Sequence, residues 1–161
     1  MLDNVIAVNE ALIRQFNKTA TDIPEDELFH PSVGHGHPPV WILGHLAIVG
    51  EQGQKLLGGS ITHREWLPLF GMGSSDIVAS SESLTRNSLT STVNETYQTL
   101  RSLAAAADES SLSGPLNIEF FEGTPIKTIG QCVSLILTSH FGFHLAQLSC
   151  CRRTAGFGPL F

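Results

Sequence analysis

The segment from Pro125 to Arg153 carries no Asp or Glu, and Ile129, Val133, Ile136, Leu137, Leu148 and Cys151 recur along it at helical spacing. A helix with that stripe must be covered by partners. Thr124 is placed to cap it with Pro125 in its first turn, and Arg152 and Arg153 suit the negative end of its dipole. Three further segments can supply the cover. One runs from about Asp3, a capping residue, to Ala20, with Val5, Ala7, Val8, Leu12, Ile13 and Phe16 as its stripe. A second runs from Pro38 or Pro39 to Leu57 and is stopped by Gly58 and Gly59. A third, from about Leu84 to Ala107, repeats Leu89, Val93, Tyr97, Leu100, Leu103 and Ala104 at spacings of three and four. No segment alternates convincingly as a strand. The expected fold is all-α, a four-helix bundle with long connections. The connection 58–83 carries Trp66, Leu67, Leu69 and Phe70, so it is expected to pack on the bundle.

The chain has 161 residues, 42% of them hydrophobic, which suits one domain, 1–161, with a core that needs no staples. A metal in such a chain serves function rather than folding. Nine Lys and Arg residues are thinly spread and the formal net charge is −6. Nucleic acid is therefore excluded as a partner, because binding it needs a basic footprint. No stretch approaches the roughly 20 apolar residues that span a bilayer. The N-terminus lacks the basic start of a signal peptide. Cys132, Cys150 and Cys151 are odd in number and two are adjacent, which disfavours a disulfide framework. The reading is a cytoplasmic protein with no membrane partner, with Cys150 and Cys151 read as core residues rather than as a redox-active or soft-metal pair.

The chemistry lies in the histidines. His140 and His144 are four residues apart, so on a helix they stack on one face. At about 100° per residue that face is shared with Val133, Ile136, Leu137 and Leu148, while Ser134, Thr138, Gly142, Leu145 and Ser149 lie opposite. An inward imidazole must find a polar partner, since an unsatisfied one costs roughly 1–3 kcal/mol. Core packing with hydrogen bonds and a shared metal both remain open for this pair. His45 shares the stripe of Ile42, Val49 and Leu56 on the second helix and also points inward. Three inward histidines on two helices are hard to explain as packing. Imidazoles suit Zn²⁺, Ni²⁺, Cu²⁺ and Fe²⁺. Three protein ligands leave coordination positions open for water or substrate, as a catalytic metal needs. His30, His35, His37 and His63 fall in connections and are read as solvated. Gln147 is read as a hydrogen-bond partner of backbone or of a ligand histidine. A di-iron site is excluded, because it needs inward Glu-x-x-His pairs.

Trp41-Ile42-Leu43-Gly44-His45-Leu46 resembles the second-helix motif of the DinB-like superfamily. His140-x-x-x-His144-x-x-Gln147-Leu148 resembles its last-helix motif, and the loop Trp66–Gly71 and the tail from Arg152 to Pro159 are similar as well. The resemblance implies a four-helix bundle with one divalent metal ion, zinc or alternatively nickel, on His45, His140 and His144. It also implies a homodimer, and relatives that use a low-molecular-weight thiol. The expected function is a metal-dependent enzyme acting on a small-molecule substrate by thiol transfer or hydrolysis. The alternative is a non-catalytic, stress-related protein that binds metal or a small ligand. Substrate is expected to enter at the bundle end formed by residues 30–38 and 154–161, through a cavity lined by some of Trp41, Phe157 and Phe161.

Overall fold

The computed structural model describes residues 2–31 and 37–160. Its long elements are α1 (Asp3–Thr21), α2 (Pro39–Leu56), α4 (Arg86–Ala106) and a composite last helix. That last helix consists of α6 (Ile129–Leu135), a π turn (Ile136–His140) and α7 (Phe141–Thr154). Two short helices, α3 (Leu67–Phe70) and α5 (Glu109–Ser113), lie in the connections. The expectation of an all-α chain holds: no strand forms among the described residues, and one isolated bridge pairs Pro115 with Thr128. More than four helical pieces occur because the connections carry helices of their own and a π turn divides the last helix.

α1 and α2 each pack against both α4 and α7, so the long segments close around one core. α2 lies deepest. Every residue from Pro39 to Ile48 is buried, as expected of a helix apolar on all sides. Gly58 ends it with φ near +83°, and the Gly59 amide returns to the Gln54 carbonyl at 2.8 Å. The connection after it packs as expected, with Trp66 and Phe70 buried. α4 starts where Thr85 accepts the Ser88 amide at 3.1 Å.

Two helix starts and one apolar stripe are corrected. The last helix starts at Ile129, not Pro125, with Thr128 and Gln131 forming a capping box. The reason is nonlocal: Leu116 N donates to the Lys127 carbonyl and Ile129 N to the Gly114 carbonyl, so residues 125–128 run alongside 114–116. α1 has Leu2 at its N-cap, with Asp3 inside the first turn. Its Ala7 and Val8 are exposed, and the stripe runs through Asn9, Ile13 and Phe16.

Candidate metal centre

α2 brings His45, and the composite last helix brings His140 and His144, to one point. Their candidate ligand nitrogens all lie within 4.8 Å of one another. His45 and His144 are buried and His140 is half-buried. His45 Nε2 and His140 Nε2 stand 3.2 Å apart. Two nitrogens bound at about 2.0–2.1 Å to one tetrahedral ion would lie about 3.3–3.4 Å apart. The pair thus fits an edge of a zinc tetrahedron, and all three residues could hold one ion.

The second nitrogen of each ring decides whether the first is free. His45 Nδ1 donates to the Phe70 carbonyl at 2.7 Å, so its Nε2 carries the lone pair. His144 Nδ1 donates to Gln147 Oε1 at 2.7 Å, as the sequence reading of Gln147 anticipated. His140 Nδ1 is buried with no partner among the described residues. Burial is the main reason all three rings resist protonation. It lowers the pKa of His45 and, with neighbouring imidazoles, holds His140 at about 4 and His144 at about 3. Neutral imidazole is the form that binds a metal.

The carbonyl serving His45 is held from a distance. The buried Glu51 carboxylate accepts from Thr62 N and His63 N, both at 3.0 Å, and from His63 Nδ1 at 2.6 Å. His63 stacks on Trp66 at 4.4 Å, and Trp66 meets the Phe70 ring edge to face at 5.7 Å. The ring then seats against α2 at Gly44, where any Cβ would come within 2.4 Å of it. His63 is therefore a structural partner and not the solvated side chain the sequence suggested. The one signal for this was Glu51, the only acidic residue on an apolar helix.

His37 also departs from the solvated reading. It pairs with Asp76 and stacks on Trp41 at 3.9 Å, and Trp41 stacks on His45 at 4.5 Å. Trp41 Nε1 donates to Ser74 Oγ at 2.8 Å. His30 remains exposed beside Glu27, and His35 lies outside the described residues. Cys151 is buried as read, but Cys150 is exposed, since adjacent helical residues point about 100° apart; Cys132 is buried as well. Leu145, read as outward, is buried, because the π turn breaks the constant rotation per residue that the reading assumed.

Among the described residues the expected entry cavity does not take the expected form. A cavity of about 20 Å³ does lie at that end, but His30, Pro31, Pro39, Cys151 and Thr154 line it, and the triad does not. Phe157 instead lies against Arg152, and Phe161 is outside the described residues. A broader cavity of about 590 Å³ lies on another flank, among Leu112, Ile126, Ser134 and Thr138.

An all-helical domain with an inward triad of histidines defines a class of metal-site bundles. Among known families, the DinB superfamily matches residues 9–148, and the chain belongs to that superfamily. No curated protein matches the chain.

Proposed function

We propose that His45, His140 and His144 bind one divalent ion, zinc or alternatively nickel, and that the protein acts on a small molecule there by thiol transfer or hydrolysis. The observation that carries the reading is the 3.2 Å approach of two Nε2 atoms, with the other ring nitrogen of His45 already donating to a carbonyl. Two lone pairs facing each other repel unless a proton or a cation lies between them. Burial disfavours the imidazolium form of all three rings, and a cation, unlike a single N–H of His140, would also engage the nearby His144.

When bound, the ion supplies positive charge that lowers the pKa of a thiol or water and makes it a nucleophile at neutral pH. The chain's own residues set the conditions. Phe70 and Gln147 fix protons on Nδ1 of His45 and His144 and leave Nε2 free. Trp41 covers one face of His45 and keeps water from it. Half-buried His140 forms the side from which a small molecule approaches.

Elemental analysis of protein purified without a nickel column tests the reading. About one zinc or nickel per chain is expected, and metal-free protein that also takes up none would refute it. A turnover screen with thiols and electrophiles then separates enzyme from non-catalytic binder. The second reading has one observation in its favour: neither cavity described above is lined by the triad. The homodimer remains part of the proposal. Exposed Phe143, Met72 and Ile77 offer apolar surface to a second copy, and a monomer mass in light scattering would refute it.

No helix among the described residues is long and apolar enough to cross a membrane.

A further inference from the structure

We infer that Asn9 is a positioning residue for the metal site, acting through the π turn that ends at His140. The inference rests on the metal reading above. Asn9 is on α1, far in sequence from the histidines, and is fully buried. Its Nδ2 donates to the Leu137 carbonyl at 2.7 Å, and its Oδ1 accepts from Arg101 Nη1 on α4 at 2.8 Å. One buried side chain thus ties α1 and α4 to the middle of the π turn.

The backbone explains why that carbonyl needs a partner. In a continuous α-helix, the Phe141 amide would donate to the Leu137 carbonyl. Here it reaches the Thr138 carbonyl instead. The carbonyl that loses this donor is the one that receives Asn9. A π turn is less stable than α-helix and persists where a side chain or the packing holds it. Its effect is to insert one residue, which rotates everything beyond it by about 100° relative to an unbroken helix. With the turn in place, Val133 and Ile136 before it and His144 and Leu148 after it all face inward. Relaxation to plain α-helix would rotate α7 by about 100° relative to α6 and so shift where His144 meets His45. Asn9 satisfies the carbonyl only in the π form, so it favours the register in which the three imidazoles meet.

The test compares the full chain with Asn9→Leu, which keeps the volume and removes both hydrogen bonds. Asn9→Asp is the companion, since an aspartate still accepts from Arg101 but has no proton for the Leu137 carbonyl. Zinc affinity is measured by competition with a chromophoric chelator, and fold by circular dichroism and thermal melting. Both variants are expected to keep their helical signal and bind zinc about 10-fold to 100-fold more weakly. A control, Asp22→Asn, loosens the Arg152–Asp22 ion pair and should lower the melting temperature while leaving zinc affinity unchanged. Folded Asn9 variants with wild-type zinc affinity would overturn the inference. If neither variant folds, coupling in the wild-type chain decides, because linkage is reciprocal. Zinc should then slow exchange of the Asn9 carboxamide protons, and unchanged exchange refutes the role. Wild-type protein that binds no zinc sinks the metal reading itself, which is a different result from wild-type binding with unaffected variants.

Discussion

The two walls of the histidine cluster are held by opposite means. On α2, His45 owes its orientation to the Phe70 carbonyl, on a connection pinned by the buried carboxylate of Glu51 two turns further along the same helix. Helix and connection make a closed circuit, with Trp66 and Phe70 filling the space between. On the last helix, His144 is oriented by Gln147, three residues away, and His140 has no partner on Nδ1 among the described residues. One wall is rigid through nonlocal packing. The other has one local hydrogen bond, from His144 to Gln147, and one distant tie, from Asn9 to the π turn. His45 is thus the most firmly held ring of the cluster and His140 the least.

The largest effect should come from removing a ligand. His140→Ala is expected to abolish zinc binding while circular dichroism of the metal-free protein is unchanged, since the core is large without it. Loss of helix on chelation would show that the metal is structural. Breaking the nonlocal wall comes next. Glu51→Leu strands two backbone amides and the His63 ring, and should cost on the order of 3 kcal/mol in denaturant unfolding. It should also weaken zinc binding, because the Phe70 carbonyl loses its support. Gly44→Ala, which drives a Cβ into the Phe70 ring, should reproduce the zinc defect without touching Glu51. If zinc affinity survives both, the circuit is a stability device alone.

Breaking the local wall should cost less. Gln147→Leu is expected to weaken zinc binding by about 10-fold, with no change in melting temperature of the metal-free protein. A gentler probe is pH, which acts on both walls together. The unfolded chain has ordinary histidines near 6.5. In the fold, burial holds His140 at about 4 and His144 at about 3. Between those values the unfolded chain binds more protons, so stability of the metal-free protein falls as pH drops below about 6.5 and is level above it. Melting curves that do not change from pH 7 to 5 would mean that the rings are not buried as described.

Much of this was legible in the sequence because it is local. Periodicity placed the long helices, and the spacing of His140 and His144 put them on one face whatever the tertiary fold. Gln147 is one turn from His144, so its role could be anticipated. His37 and His63 were misread because their partners, Asp76 and Glu51, come from other parts of the chain. Asn9 was overlooked, although a polar residue on the Val5–Ile13–Phe16 stripe is itself a signal.

The sequence by itself determined the fold class, the family and the inward helix faces that carry the three histidines, since each depends on composition, period or motif. Tertiary structure alone decided the start of the last helix, its π turn and the tautomer of His45. Those depend on groups from elsewhere in the chain: the carbonyl of Gly114, the side-chain amide of Asn9 and the carbonyl of Phe70. A hydrogen bond between residues distant in sequence leaves no periodic trace, so only the folded chain can reveal which carbonyl a buried donor meets.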